Sequence, residues 1–341
     1  MNSGDENRDI ELEQIFTATG QPVYGYEPSQ DFNYLLGQTI KKARVSQALM
    51  IINIAIFGLM VLSGVHMMQP QSADVLKWGA NFYPLTLNGE PWRLFTCMFL
   101  HFGLMHLAFN MWALKAVGEF IERLYGHRYF FFIYISSGLL ASVNSLWWRQ
   151  EEISISAGAS GAVFGTFGAL AAFVIRQRKN IPTETFNYLK SNLFMIIGIN
   201  VVYGLINSSI DNAAHMGGLV SGFILAWCLT RPLGEVVARK RKFSQYFLAT
   251  VFSLATFVMA WSSLSKAPVE LDRFIQGFGQ REKILVQKEG EVTGLMQAGE
   301  QRGQKKILRR LNDEVLQPWQ EELNTLNNIR QKFKKKNGSI V

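Results

Sequence analysis

Residues 46–65 read SQALMIINIAIFGLMVLSGV, an uninterrupted run without a charge. A bilayer hydrocarbon core about 30 Å thick is crossed by about 20 helical residues, so the run predicts a transmembrane helix. Further apolar stretches follow at 94–118, 128–148, 158–175, 191–209, 213–230 and 243–264. Backbone N–H and C=O groups in lipid must be satisfied within their own segment, which leaves helices as the form for such spans. The predicted fold class is therefore all-α, a polytopic membrane helical bundle. Only 18% of the 341 residues are charged, against about 25% in an ordinary soluble protein. The opening MNSGDENRDIELEQ lacks a basic stretch followed by an apolar one, so the first span is expected to act as the insertion signal.

Charge placement orients the bundle, because cytoplasmic loops carry the excess of Lys and Arg. Lys41, Lys42, Arg44, Arg123, Arg128, Arg176, Arg178, Lys179, Lys190, Arg231 and the Arg239–Lys242 group flank one end of the spans; Lys77, Arg93 and Arg149 flank the other. The N-terminus is expected in the cytoplasm. Trp78, Trp92, Trp147, Trp148 and Trp261 fall on the outer side, where amphipathic rings suit the headgroup region. A net charge of +8 does not point to nucleic acid, since the basic residues follow the span ends and the tail. Cys97 and Cys228 lie in apolar stretches and read as buried thiols rather than a disulfide framework.

Polar residues at membrane depth are costly, so each is a functional candidate. The stretch at 158–175 opens with Gly158-Ala159-Ser160-Gly161, and the one at 213–230 is entered through Asp211-Asn212-Ala213-Ala214-His215. Both run from outside to inside, which puts Ser160 and His215 at one depth near the outer end. Gly158, Gly161, Gly165 and Gly168 make one face, and Ala214, Gly218 and Gly222 another; small residues at this spacing let membrane helices approach closely. A serine and a histidine on such facing helices can hydrogen-bond, and neutral His suits the task of taking a proton from Ser. The run HFGLMHLAFN adds His106 and Asn110 at i and i+4, side-chain donors on one helical face, with His101 less aligned and read as pinning the outer loop. Acyl transfer needs such donors aimed at the developing oxyanion. Asp211, i−4 from His215, could orient it as a third member of a triad, but an Asp at the start of a helix more often caps it, and the cap is the favoured reading.

These residues resemble the rhomboid intramembrane serine proteases. Trp92-Arg93 in the first outer loop, His101, His106 and Asn110, the Gly158-Ala159-Ser160-Gly161 motif, and Ala214-His215 followed by Gly218 and Gly222 stand in that family's order. The resemblance covers about residues 46–230 and implies a six-helix core, with 243–264 as a seventh C-terminal span outside it. It implies Ser160 as nucleophile, His215 as general base, and His106, Asn110 and the Ser160 N–H as the oxyanion site, with Gly158 keeping the approach open. It further implies Trp92, Arg93 and residues 66–93 as a lateral, membrane-embedded element. Glu122 matches a structural position of the family or is a solvated interface charge. Phe164 departs from the family, many of whose members carry Tyr there, so a ring is kept and a hydroxyl lost.

The expected organisation is an N-terminal cytoplasmic segment at 1–45, a membrane protease core at 46–230, a basic loop and seventh span at 231–266, and a charged amphipathic tail at 267–341. The tail places Leu308, Leu311, Val315, Trp319, Leu323, Leu326, Ile329 and Phe333 at spacings of three and four, interrupted near Pro318, and ends in Lys334–Lys336. That stripe needs a partner: self-association, membrane-surface docking or a helical hairpin. The expected activity is hydrolysis of peptide bonds in or near transmembrane segments of single-pass or multi-pass substrates by a Ser-His dyad in the lipid bilayer. The expected location is a bacterial cytoplasmic membrane, with the site opening outward. No metal or cofactor is expected, since metalloprotease, Walker and dinucleotide motifs are missing from the sequence. The alternative is a rhomboid-like binder that holds transmembrane segments without cutting them. A transporter ranks lower, because the polar pair is not at the midplane and no repeat is visible.

Overall fold

The computed structural model describes residues 40, 42–149, 154–207, 210–230, 243–264, 277, 281, 284–294 and 309–337. The segment 1–39, Lys41 and the basic loop 231–242 lie outside the described residues, as does Leu308. The protein is an all-α bundle. Its long helices are α1 (Arg44–Leu62), α5 (Leu104–Tyr125), α6 (His127–Trp148), α7 (Ser160–Arg176), α8 (Thr183–Ile206), α9 (Asn212–Leu229), α10 (Phe243–Ser262) and α11 (Gln317–Asn337). Short helices α2 (Ser72–Lys77), α3 (Tyr83–Leu87) and α4 (Arg93–Thr96) build the connection between α1 and α5. Among the described residues α1, α6, α8 and α9 are long and apolar enough to cross a membrane. The stretch Arg93–Phe99 and α5 make a further candidate span, bent by 90°. The helix α7 and the Ala249–Ser262 part of α10 are apolar but shorter.

The sequence at 94–118 reads as one span, and the structure breaks it. At Gly103 the backbone has φ +100, and an added Cβ would lie 2.5 Å from the Met68 carbonyl oxygen, so only glycine suits the turn. The Leu104 N–H then donates to Met67 O at 2.9 Å, which satisfies one of the first-turn donors of α5 from outside the helix. A π-helical turn at Leu114–Gly118 interrupts α5 lower down.

Glu122, near the C-terminal end of α5, is fully buried, which settles its two readings in favour of a structural role. Its carboxylate accepts from Val45 N (2.9 Å), Ser46 N (2.7 Å) and Ser46 Oγ (2.7 Å), and also pairs with His127 Nδ1. Val45 and Ser46 stand in the first turn of α1, whose N–H groups have no partner within the helix. An anion there also meets the positive end of the helix dipole. One side chain thus caps α1 and ties it to α5.

At the centre, α7 is wedged between α6 and α9. A Cβ on Gly218 would strike the Gly161 carbonyl oxygen, one on Gly222 the Gly165 carbonyl oxygen, and one on Gly168 the Leu219 carbonyl oxygen. On the other side of α7, a Cβ on Gly161 would lie 2.7 Å from that of Ala141, and one on Gly165 would strike Ser137 Oγ. Backbones rather than side chains therefore set the α7–α9 distance, as small residues permit. By contrast α8 buries only Leu193 and Gly204 and presents most of its length outward.

Two predictions follow from these contacts. Gly218→Ala should cost about 1–3 kcal/mol through overpacking, while Gly198→Ala, which meets nothing within 4 Å, should cost none; circular-dichroism unfolding in mixed micelles compares them. Glu122→Ala strands the buried donors of Val45 and Ser46 and should cost about 1–3 kcal/mol in the same assay.

Candidate functional site

The helices α7 and α9 begin at the same end of the bundle, and Ser160 is the first residue of α7. The approach to it is built by a two-stranded antiparallel ladder, β1 (Asn81–Phe82) against β2 (Ile155–Ser156), with Asn81 opposite Ser156. Such short strands carry no readable periodicity, so the sequence does not announce them. Gly158 N then donates to Cys97 O at 2.9 Å. These bonds fasten the segment before Ser160 to the connection between α1 and α5.

Ser160, His215, His106 and Asn110 line a single cavity of about 1580 Å³, whose walls also include Gly158, Gly161 and Phe164. His215 lies flat on the Phe164 ring, centroids 4.1 Å apart and planes 10° from parallel, so the expected packing of this ring on the histidine holds without a hydroxyl. No hydrogen bond joins Ser160 Oγ to His215, and among the described residues the buried His215 Nδ1 has no hydrogen-bond partner. The two side chains are brought to one cavity rather than locked together.

His106 has a defined orientation. Its Nδ1 accepts from the Phe102 N–H at 3.3 Å, which leaves Nε2 as the protonated nitrogen and a donor. Gly158 sits against this ring with φ +139; a Cβ there would lie 2.8 Å from His106 Cε1, 2.9 Å from Nε2 and 3.6 Å from Ser160 Oγ. A glycine is thus required twice, by backbone conformation and by the approach of the imidazole. Asn110 is buried and donates one amide N–H to His106 O at 2.9 Å, which keeps a second N–H in hand.

His101 is fully buried and packs edge-on against His106, centroids 5.2 Å apart. Arg93 holds the connection between α1 and α5. Its buried guanidinium donates to Leu76 O (2.7 Å), Ala80 O (3.0 Å) and Glu90 Oε2 (2.6 Å), and stacks over the Trp92 ring at 4.7 Å. A fork of donors matches several carbonyls at once, which lysine could not do. Trp92 is half exposed, and Gly218 and Gly222 act on the site only by fixing the α7–α9 distance. Sequence reasoning missed Ser145, Asn144 and Asn81; serines and asparagines in apolar helices carry little positional signal on their own. Asn144 Nδ2 donates to Ala213 O (2.7 Å) and Asn81 Nδ2 to Ser142 O (3.0 Å), which joins α6 to α9 and to β1.

Comparison with known proteins gives a consistent picture. A family model described as the Rhomboid domain matches residues 88–232. Rhomboid protease GluP of Bacillus subtilis (strain 168) is 40% identical over 158 residues, covering 46% of this chain and 30% of that protein. Rhomboid protease AarA of Providencia stuartii is 33% identical over 197 residues, 52% of this chain and 69% of that protein. RHOMBOID-like protein 6, mitochondrial, of Arabidopsis thaliana is 37% identical over 178 residues, 52% of this chain and 56% of that protein. The chain therefore spans 30% of the length of GluP.

The Asp211 carboxylate caps α9 and reaches across to α6, and neither oxygen is hydrogen-bonded to His215. Its Oδ1 accepts from Ala214 N at 2.9 Å, and its Oδ2 accepts from Ser145 Oγ at 2.5 Å. Asn caps a helix as well as Asp, whereas Ala costs about 1 kcal/mol. Asp211→Asn should therefore keep stability and the reactivity of Ser160 toward a fluorophosphonate, while Asp211→Ala lowers stability. A carboxylate that oriented the imidazole would instead lose about 10⁴ in rate on conversion to the amide, which gel fluorescence of the labelled serine would reveal.

Proposed function

Because this chain belongs to the rhomboid family, we propose that it is an intramembrane serine endopeptidase in which Ser160 and His215 form the catalytic dyad. It is an integral, multi-pass membrane protein. The observation that carries the reading is the cavity that gathers Ser160, His215, His106 and Asn110 at the N-terminal ends of α7 and α9.

Ser160 Oγ attacks the carbonyl carbon of a peptide bond while His215 takes the hydroxyl proton. Negative charge then develops on the carbonyl oxygen. His106 Nε2–H, the second amide N–H of Asn110 and the Ser160 backbone N–H receive it, the last being an unpartnered donor at the positive end of α7. His215 returns its proton to the leaving amine, the C–N bond breaks, and an acyl ester remains on Ser160. Water, deprotonated by His215, hydrolyses that ester and frees the serine. Gly158 leaves room for His106, Phe164 supports the flat face of His215, and His101 backs the His106 ring. Trp92 and Arg93 hold the lateral element that walls one side of the cavity.

The substrates are membrane proteins whose transmembrane helices unwind into the cavity. Residues 46–230 are the active unit, with 1–45 and 231–266 flanking it and 267–341 as an appended tail. The Lys and Arg distribution supports a cytoplasmic N-terminus and a site that opens outward, in a bacterial cytoplasmic membrane. A second reading, a binder that holds transmembrane segments without cutting, draws on the unbonded Ser160 and His215 pair. Hydrogen bonds of this kind often tighten only when substrate is bound, which favours the enzyme.

Wild-type membranes should label with a fluorophosphonate at Ser160. Ser160→Ala should abolish labelling, and His215→Ala should slow it by about 10²–10⁴-fold. Labelling that survives in Ser160→Ala, or is absent from folded wild type, would overturn the assignment.

A further inference from the structure

Among the described residues, Leu311, Val315 and Trp319 of the tail's apolar stripe pack with Val292 of the same chain. A π-helical turn at Leu311–Leu316 leads into α11, and the helix continues through Pro318 rather than stopping there. Proline removes a backbone donor and crowds the preceding turn, and the wider π turn accommodates both. Val315 is buried with Val292, Trp319 packs beside them, and Arg281 pairs with Glu322, so the described parts of the tail hold one another.

Beyond that small core, Trp319, Leu323 and Asn327 recur at i, i+4 and i+8 and so form one row along α11. All three line the cavity that contains Ser160 and His215. Phe109 and Trp112 of α5 and Ile199 and Tyr203 of α8 wall the same cavity, and with α11 in place each is still more than half exposed, so α11 borders this cleft without covering its walls. The end of α10 agrees with this placement. Its residues Phe257, Ala260 and Trp261 pack on Tyr83, Leu94, Val143 and Leu146, beside the connection that carries Arg93, so α10 ends at the same end of the bundle as the site.

We propose that the C-terminal helix is an intramolecular occupant of the cleft between α5 and α8, seated by Trp319, Leu323 and Asn327, and that a transmembrane helix must displace it to reach Ser160. The placement stands on these shared cavity walls; its consequence for turnover rests on the peptidase reading above. Leu323 is 55% exposed and Trp319 half-buried, so the seat is shallow and a longer apolar helix can replace it. The occupant lowers apparent substrate affinity in proportion to the time it fills the cleft.

The test uses the full chain carrying Leu323→Cys with Phe109→Cys, treated with a short bismaleimide and read by mass spectrometry of the joined peptides. Leu323→Cys with Ile199→Cys repeats it across the other wall, should the Phe109 variant misfold. Leu323→Cys with Leu254→Cys, on the exposed face of α10, gives the background. Both cleft pairs should join, and an excess of a synthetic transmembrane peptide of about 20 Leu and Ala residues flanked by lysines should slow joining about tenfold. Joining no faster than background, or a rate the peptide leaves unchanged, would overturn the proposal. Fluorophosphonate labelling of the same samples separates the two claims: an unlabelled folded protein refutes the peptidase, while the tail is judged by cross-linking alone.

Discussion

The backbone contact between α7 and α9 is the constraint on which the other features depend. With glycine at 168, 218 and 222, each helix presents carbonyl oxygens where the partner would otherwise place a Cβ. Hydrophobic burial does not drive helices together in lipid, so close packing and polar contacts must do so. Once the two axes are fixed, their first turns are fixed as well, and Ser160 and His215 share a cavity without any bond drawing them together. The cost of a Cβ at this interface is therefore also a cost to the site.

Polar groups elsewhere join elements rather than perform chemistry. Glu122 caps α1, Arg93 gathers the carbonyls of Leu76 and Ala80, and Asp211 links α9 to Ser145 on α6. All three satisfy backbone or hydroxyl groups that would otherwise lack a hydrogen bond. Arg93 and Asp211 line the cavity, and Glu122 joins α5 to the first turn of α1. These three charges therefore serve to join elements of the bundle.

Most of the architecture was legible in the sequence because hydropathy is a strong signal over spans of this length. Most of the expected apolar stretches fall on one helix, as in 128–148 against His127–Trp148 and 213–230 against Asn212–Leu229, while 94–118 is broken before Leu104. The gathering of Ser160, His215, His106 and Asn110 was legible because polar residues are rare in apolar helices and their spacing places them on faces. Features made by tertiary contact were not. The 90° bend before Leu104 depends on Met67 and Met68, distant in sequence and themselves apolar. His101 looked like a loop anchor from its position in the chain, yet its neighbour in space is His106. The tail's stripe was visible, and its partner was not, because periodicity shows that a face is apolar without showing what it meets.

The π turn at Leu114–Gly118 has a consequence for the angular phase of α5. An α-helix turns about 100° per residue, and a π turn takes up one residue more than an α turn. Asn110 above it faces the cavity, while Glu122 below it faces α1. The extra residue lets the two halves be aimed independently along a continuous helix. With an ordinary α turn at this place, a helix with its upper half toward the cavity would carry Glu122 about 100° away from Val45 and Ser46. The turn therefore works as a phase adjuster between the chemical end of the bundle and the end that anchors its first helix.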